Sequence, residues 1–373
     1  MSEIFIPPEI CDKIVDFLQN DPAALKQCCL ASKSWVPRTR KHLFAVVEFT
    51  NQSYLRNWNM LFPEPSKSPA RHTEVLRIGC LEAIVHDPAT SDWIPMFSRI
   101  VRFEIFSAYG NELDTRLMQF RHFPHTLKSL RLTMFSFGPS QSIDLACHFP
   151  LLEDLAFLGY NCNCDNPLVF SPPLTSPALT GTLELRIIRG IARTAHRLLD
   201  LPNGLHFRNL KLSPHSEEDF PSVEKLVEAC SDTLEHLYVR YLPGAGSADI
   251  PRLDLSKALK LKDIVFRCNV TDIKWVISAL ETIAQHRNLQ QISIQVPSIL
   301  PEDEMISGLW PTLDLVLVQF WESHSIRTKI LSPPPGREDE HEGLVMADWS
   351  VHMLPESMGQ EIIDLVEEPK VSG

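Results

Sequence analysis

The sequence has few glycines and no long apolar run. Only 14 of its 373 residues are glycine, which is about half of the roughly 7% found in average proteins. The glycine-rich phosphate loops of nucleotide-binding enzymes are absent, as are the Gly-x-Ser-x-Gly and His-Glu-x-x-His motifs of hydrolases. No 18 consecutive residues are apolar, so we expect no membrane span. The sequence therefore predicts no cofactor, no catalytic set and no membrane partner.

Signs of secretion and of metal binding are also weak. The first ten residues, MSEIFIPPEI, lack the basic and apolar regions of a signal peptide. The nine cysteines are odd in number and lie mostly in apolar stretches, so we predict free thiols in a reducing compartment, the cytosol or the nucleus. Cys147-His148 and Cys162-x-Cys164 offer zinc-type ligands, but their spacing does not match common zinc sites. We predict core or loop cysteines there and no metal.

Negative charge is concentrated at one end of the chain. The net charge of −12 argues against general nucleic-acid binding. Residues 332–373 hold ten acidic and two basic side chains, or −8 of the −12, and they open on Pro333-Pro334-Pro335-Gly336. We predict a disordered acidic tail over 332–373. Within it, residues 360–368 form one or two amphipathic turns that either cap the end of the preceding domain or stay solvated.

A repeated pattern runs through the middle of the chain. The template is apolar-x-x-apolar-x-apolar, and it recurs at a mean spacing near 27 residues. Its central positions are Leu76, Phe103, Leu130, Leu155, Leu183, Leu210, Leu237, Ile264, Ile292 and Val316. One such unit buries about three strand side chains, worth about 1.5–3 kcal/mol each. Ordering its residues costs more than that, so the units must stack on one another.

The repeat resembles leucine-rich repeats, whose L-x-x-L-x-L signature has a period of 20–29 residues. The resemblance implies an α/β solenoid over residues 73–331, with about ten parallel strands on a concave face and helices on the convex face. An asparagine often follows the central position by five residues in that family, and here only Asn269 does so. We therefore expect irregular repeats.

Several connecting segments carry their own predictions. We expect a linker over 49–72. A short strand over 46–49 leads into it, and a helix over 52–61 lies within it. Further helices are predicted between the strands, and loops interrupt the repeats. The helices are at 114–122, 143–148, 217–230 and 272–286, and the loops are at 161–182 and 242–251.

The first 48 residues favour three short helices. Pro8 and Glu9 suit a first helical turn, and Ile10, Ile14, Phe17 and Leu18 then form one apolar stripe at helical spacing. Asp21 and Pro22 suit an N-cap and the first position of a second helix, and a third starts near Pro37. About 40 residues rarely bury enough surface alone, so the following domain or a partner must cover the rest.

This segment resembles an F-box in its fungal form. The likeness is carried by the spaced pattern Ile6-Pro7-x-Glu9-Ile10, then Ile14, Phe17-Leu18, Leu25, Leu30, Ser32, Trp35, Pro37, Arg40 and His42-Leu43-Phe44. The resemblance implies docking to a Skp-type adaptor and, through it, to a cullin. The adaptor-binding residues it implies are Ile6, Pro7, Pro8, Glu9, Ile10, Ile14, Leu18, Leu25, Leu30 and Trp35.

One face of the predicted strands is basic within an acidic protein. Positions one and three after each repeat centre point away from the core, and six of these twenty side chains are basic and two acidic. The predicted target-binding residues on this concave face are Arg131, Arg186, Lys211, Tyr238, Arg240 and Arg267. Such a face suits an acidic or phosphorylated peptide. A solvated polar face and a contact with the chain's own acidic tail are the alternatives.

Three functions follow from these patterns. The first is a non-catalytic substrate receptor of a cullin–RING (SCF-type) ubiquitin ligase, in which the F-box holds the adaptor and the repeats hold a target protein. The second is a leucine-rich-repeat binding scaffold whose F-box-like helices only cap the solenoid. The third, an enzyme with an unrecognised site, has no motif to support it.

Overall fold

The computed structural model describes most of the chain in separate stretches. These are residues 7–64, 67–79, 96–106, 118–133, 139–159, 178–187, 191–241, 252–268, 273–295, 310–324, 326–332 and 363–367. The chain divides into two compact units, residues 1–177 and 178–373.

The secondary structure is mixed α/β. The α-helices are α1 (Pro8–Phe17), α2 (Pro22–Ala31), α3 (Val36–Leu43), α4 (Gln52–Leu61), α5 (Pro139–Ala146), α6 (Ile191–Leu199), α7 (Phe220–Ala229), α8 (Ile273–Ile283) and α9 (Trp310–His324). The strands are β1 (Val46–Phe49), β2 (Val75–Ile78), β3 (Arg102–Phe106), β4 (Ser129–Thr133), β5 (Asp154–Gly159), β6 (Leu179–Ile187), β7 (Leu205–Leu212), β8 (His236–Tyr241), β9 (Asp263–Cys268), β10 (Gln291–Gln295), β11 (Arg327–Ser332) and β12 (Ile363–Glu367). Short 3₁₀ helices cover Pro69–His72, Met118–His122 and Glu217–Asp219.

The strands of each unit pair in parallel and in chain order. The first unit contains β1 to β5 and the second contains β6 to β12. Every pairing within a unit joins a strand to the next one along the sequence, with a connection that returns the chain to the same end of the sheet. This arrangement is compatible with an α/β solenoid.

The repeat pattern sets the register of the strands. Leu76 pairs with Phe103, Leu130 pairs with Leu155, and the same centre-to-centre pairing runs from Leu183 on β6 to Ile292 on β10. All nine of these centres are at most 1% exposed. A slip of one residue would turn the apolar set of a strand towards water, so the buried face fixes the register strongly.

The core of each unit contains an aromatic cluster. In the first unit, Trp58 of α4 lies edge-on to Phe44 and Phe49 at ring-centroid distances of 5.8 and 5.6 Å. In the second unit, Trp275 of α8 meets Phe266 of β9 edge-on at 5.3 Å. Such edge-to-face pairs add to the energy gained from buried area alone. The clusters therefore hold α4 and α8 against the strands of their units.

The three helices at the start of the chain begin where the sequence predicted. Pro8 and Pro22 open α1 and α2, and a proline costs nothing at the first helical position because its missing N–H would have no partner there. The carboxylate of Asp21 accepts hydrogen bonds from the backbone N–H groups of Ala23 and Ala24 at 3.0 and 2.9 Å. This confirms Asp21 as an N-cap.

The predictions for the connecting segments are largely confirmed. The strand over 46–49 and the helix over 52–61 are β1 and α4, and β1 pairs with β2 as a further strand of the sheet. The predicted helix at 272–286 is α8, the one at 217–230 is a 3₁₀ turn followed by α7, and the one at 143–148 overlaps α5. Of the predicted helix at 114–122, residues 114–117 lie outside the described residues, and the rest is the 3₁₀ turn Met118–His122.

One predicted loop is partly wrong. Residues 179–182, which we expected to be irregular, are the start of β6. Gly181 has a φ of 80° at a register shift against β7, where Arg208 is the additional residue. A glycine tolerates that conformation without a Cβ penalty. Most of the predicted loop at 161–182 and all of the one at 242–251 lie outside the described residues.

The tenth repeat centre is wrong. Val316 was predicted to lie on a strand, and it lies in the middle of α9. The buried residues of this segment are Leu313, Asp314, Leu317, Val318 and Phe320. Leu313, Leu317 and Phe320 fall at i, i+4 and i+7, which is helical spacing. The strand that follows β10 is instead β11, and its Thr328 pairs with Ile292.

The prediction for residues 360–368 is also wrong in type. Ile363–Glu367 forms β12, which pairs in parallel with β11, from Thr328↔Ile363 to Ser332↔Glu367. An extended segment of alternating Ile, Leu and Val with Asp and Glu fits a strand at least as well as a short helix. The rest of the predicted tail after Ser332 lies outside the described residues.

Candidate interaction surfaces

Helix α1 leaves an apolar face in water. Ile10, Ile14 and Phe17 fall at i, i+4 and i+7 on one side of the helix, and they are 46%, 41% and 89% exposed. We call these three residues the α1 patch. Leu30 of α2 is a further exposed apolar side chain, at 81%. Large apolar side chains grouped on one helix face mark interaction sites more often than scattered ones do.

The opposite side of the helices is buried within the first unit. Val15, Leu25, Cys28 and Thr39 form this side, and the hydroxyl of Thr39 donates a hydrogen bond to the carbonyl of Trp35 at 2.8 Å. Helix α3 contacts α1, α2 and the 3₁₀ turn Pro69–His72. The three helices are thus anchored through α3, and α1 keeps its outer face free.

An ionic cluster fixes α1 to α3. The Asp16 carboxylate accepts a hydrogen bond from Arg38 Nε at 2.6 Å, and its Oδ1 lies 2.7 Å from His42 Nε2. The Arg38 guanidinium, followed by His42, holds the pKa of Asp16 well below its usual range. A carboxylate that stays ionised can keep both partners in place, so the α1 patch is presented at a defined angle to α3.

The predicted adaptor-binding residues differ in their exposure to solvent. Pro7, Pro8, Glu9, Ile10, Ile14 and Leu30 are exposed, and Leu18 and Trp35 are half-buried. Leu25 is only 1% exposed, so its assignment to the contact surface is wrong: it packs inside the helices and cannot reach a partner. Ile6 lies outside the described residues. Phe17, the most exposed apolar residue of α1, was predicted as part of the stripe but not as a contact residue.

On the outward face of the first unit, charges alternate in sign. Glu48, Arg77, Glu104 and Arg131 are successive register partners on β1 to β4. Arg77 Nε donates to Glu104 Oε2 at 2.9 Å, and Arg77 Nη1 lies 3.7 Å from Glu48 Oε2. Opposite charges side by side on a sheet stabilise each other. Arg131 therefore belongs to a balanced row and does not extend a basic surface.

The outward face of the second unit is different. Arg240 of β8 and Arg267 of β9 are direct register partners. Ser213 follows Leu212 of β7, whose partners are Leu185 and Val239, so Ser213 stands between Arg186 and Arg240. We call Arg186, Ser213, Arg240 and Arg267 the basic row. Like charges placed side by side on neighbouring strands are unfavourable unless something opposes them.

Among the described residues, a carboxylate pairs with the arginine at one end of the basic row. Arg186 Nε lies 2.7 Å from Oε1 of Glu184, a buried carboxylate two residues earlier on β6. Arg267 Nε is shielded from solvent and has no hydrogen-bond partner among the described residues. Burial lowers the pKa of Arg240, and the charges of Arg267 and Arg186 lower it further while Tyr238 opposes them. No carboxylate is among the groups that act on Arg240 in the described part of the chain.

A second outward row lies beside the basic row. Glu184, Lys211, Tyr238, Val265 and Ser293 are register partners on β6 to β10. Lys211 is exposed, and Tyr238 and Val265 are half-buried. Five of the six predicted target-binding residues thus lie on adjacent strands of the second unit. Sequence reasoning missed Glu184 and Ser213 as functional candidates, although both stood among its outward positions.

The cysteines and histidines do not converge in the described residues. Cys28, Cys147, Cys230 and Cys268 are buried cysteines, and burial raises the pKa of Cys230 to about 12, which makes it unreactive. No group of three or more potential metal ligands occurs within the described stretches. Cys162 and Cys164 lie outside them. Of the helices that are described, none is long and apolar enough to cross a membrane.

No protein-family model matches the sequence, and no curated protein matches it.

Proposed function

We propose that this protein is the substrate-receptor subunit of a cullin–RING (SCF-type) ubiquitin ligase. In this proposal residues 1–48 are an F-box that docks a Skp-type adaptor, and the strands that follow form an irregular leucine-rich-repeat solenoid that holds a target protein. The chain itself performs no chemistry, and it brings the target close to a transfer carried out by its partners. Such a ligase works in the cytosol or the nucleus, where free thiols such as Cys28 and Cys230 stay reduced.

The α1 patch is the observation that carries the proposal. A helical segment that only capped the solenoid would turn its apolar stripe inward, whereas Ile10, Ile14 and Phe17 face water. Covering three such side chains removes apolar surface from water and drives association. The anchoring of α3 against Pro69–His72 supports the same division, because it leaves α1 and α2 as the outer part of the unit.

Adaptor binding tests the proposal directly. The full-length chain is incubated with a purified Skp-type adaptor from a fungus, and capture is measured by pull-down and calorimetry. We expect Ile14→Asp, and the pair Pro7→Ala with Ile10→Asp, to abolish capture, because each places a charge or a gap in the apolar contact. Leu259→Asp is the matched control, since Leu259 is 61% exposed and lies in the second unit.

Two results would count against the ligase function. The first is adaptor capture that Ile14→Asp leaves unchanged, and the second is no capture by the unmodified chain. The capping scaffold is the competing function, and the aromatic contact of Phe44 with Trp58 favours it, because this contact ties the end of α3 to α4, whose Trp58 also packs on Phe49 of β1. A chain that binds no adaptor and unfolds when α1 is removed would establish the scaffold instead.

A further inference from the structure

In the second unit, the positive charge of the basic row exceeds the negative charge of the described carboxylates beside it. In the first unit every arginine of the outward row Glu48, Arg77, Glu104 and Arg131 has a glutamate as a register partner on a neighbouring strand. In the second unit Arg240 is the register partner of Arg267, and Glu184 forms an ion pair with Arg186. Neighbouring strands lie about 4.8 Å apart, so the backbones of these two arginines are held at about that distance. A bound anion would relieve this repulsion.

Ser213 provides an independent sign of a ligand. Its side chain is only 6% exposed, and its Oγ has no hydrogen-bond partner among the described residues. A buried hydroxyl without a partner is costly, and most such groups in folded proteins are satisfied. Ser213 stands between Arg186 and Arg240, so its hydroxyl lies where an anion bridging these strands would accept a hydrogen bond.

We propose that Ser213, Arg240 and Arg267, with Arg186 at the edge, form a subsite for the phosphate group of a phosphorylated side chain in a target protein. The proposal rests on the proposed function, because it names the chemistry of the target that the second unit recognises. A phosphate carries about −1.5 to −2 charges and three acceptor oxygens at neutral pH. Two guanidinium forks and a hydroxyl match these oxygens better than they match the single charge of a carboxylate.

The neighbouring residues favour a peptide over a nucleic acid. The row beside the subsite offers Tyr238 and Val265, which suit an apolar side chain next to the phosphorylated residue. Glu184 borders the subsite on β6 and would repel a second phosphate there. A polyanion needs a continued basic track, and in the described residues the row continues from Arg267 to Gln295, which is uncharged.

Binding is measured on the full-length chain with four probes. They are a degenerate peptide library with phosphoserine at its centre, the same library without phosphate, inorganic phosphate, and a single-stranded RNA of mixed sequence. We expect the phosphorylated library to bind at least about tenfold more tightly than the unphosphorylated one, since charge-assisted hydrogen bonds are the strong ones. Three results would each overturn the proposal. They are equal binding of the two libraries, binding of inorganic phosphate but of neither library, and tighter binding of the RNA than of the phosphorylated library.

Variants locate the subsite. Arg240→Gln and Arg267→Gln should each weaken phosphopeptide binding by about tenfold or more, and Ser213→Ala should weaken it several-fold. Arg287→Gln is the control, because Arg287 is exposed in the same unit and lies outside the basic row. Arg267→Gln should also keep or raise the thermal midpoint of the free protein, since it removes a like-charge neighbour. A lower midpoint with unchanged phosphopeptide binding would show a structural arginine and refute the subsite.

The experiment separates failure of the subsite from failure of the ligase function. The phosphopeptide assay needs no adaptor, and the α1 patch does not take part in it. Phosphopeptide binding that depends on Arg240 and Arg267 but not on Ile14 supports the subsite whether or not the adaptor binds. Adaptor capture without any preference for phosphopeptides retains the ligase function and rejects the subsite.

Discussion

At the scale of single residues, burial divides the leucines of α2 into two kinds. Leu25 is 1% exposed and Leu30 is 81% exposed, although the two lie only five residues apart on one helix. The F-box resemblance treats both as contact residues, because a spaced pattern of apolar positions does not say which side each one faces. The structure places Leu25 in the packed interior of the helices and leaves Leu30 exposed to solvent.

Replacement of these two leucines by alanine should therefore have different effects. Leu25→Ala should destabilise the helices of the first unit by about 2–5 kcal/mol, the usual range for a buried leucine. Leu30→Ala should change their stability by about 0.5 kcal/mol or less but weaken adaptor capture. Scanning calorimetry of both variants with the adaptor pull-down checks this. Equal destabilisation by the two substitutions would contradict the assignment.

His286 makes the second unit sensitive to acid. Its side chain is 3% exposed, and its Nε2 lies 3.1 Å from the carbonyl oxygen of Ser256. Burial lowers the pKa of His286, and the bond to Ser256 only partly opposes that. The folded protein thus takes up this proton less readily than the unfolded chain does. Its contribution to stability is complete above the unfolded pKa of about 6.5 and is lost as the pH falls below that value.

We expect His286→Gln to reduce this loss. Glutamine can still donate a hydrogen bond to Ser256 but does not titrate, so the thermal midpoint should fall less between about pH 7 and about pH 5 than in the unmodified chain. The pKa of His215 is also lowered, first by burial, so some pH dependence should remain. Midpoints measured across this range check the prediction. Parallel curves for both proteins would show that His286 contributes nothing.

At the scale of elements, α9 shows where a short apolar pattern is ambiguous. Leu313, Val316 and Val318 fit the strand template, but Leu313, Leu317 and Phe320 fit a helix equally well. The helix has the better length, because α9 runs for 15 residues and a strand of that length is rare. Helix α6 was not predicted, although Ile191, Ala195 and Leu198 give it a clear apolar face.

A pair of charge substitutions distinguishes the helix from the strand. In α9 Leu317 is fully buried and Val316 is half-buried, whereas the strand prediction buries Val316 and turns Leu317 outward. Leu317→Asp should therefore destabilise the second unit by more than about 3 kcal/mol. Val316→Asp should cost clearly less. Denaturant titration of both variants is the measurement, and the reverse order would restore the strand.

At the scale of the whole molecule, the repeated unit was predictable from the sequence and its C-terminal end was not. Nine centres, from Leu76 to Ile292, lie on paired strands because three apolar positions recur at a constant spacing. At the C-terminal end, β11 and β12 lack part of that pattern, and Thr328 occupies the buried centre of β11. At the N-terminal end, Phe44, Val47 and Phe49 give β1 the full pattern, which the repeat prediction did not include. The excess of basic residues at the outward positions was visible in the sequence. The strand register was not visible, and it places these residues beside glutamates in the first unit and beside one another at Arg240 and Arg267 in the second.

Truncation should show which helices the first unit needs. Removing residues 1–31 deletes α1 and α2 but keeps α3 on Pro69–His72, so we expect a folded protein that no longer binds the adaptor. Removing residues 1–45 also deletes Phe44 and uncovers Trp58, so we expect aggregation. Size-exclusion chromatography and circular dichroism compare the two. Aggregation of both would mean that α1 and α2 are structural.

The centre-to-centre register makes the middle strands interchangeable. If the 27 residues from 210 to 236 were excised, Leu237 would follow Asn209, and the shortened chain would still present a leucine as the neighbour of Leu183. Deletion of a single residue from the same strand would not restore this centre-to-centre pairing. A gene for this chain could thus gain or lose whole modules over evolutionary time, with the width of the sheet changing in discrete steps.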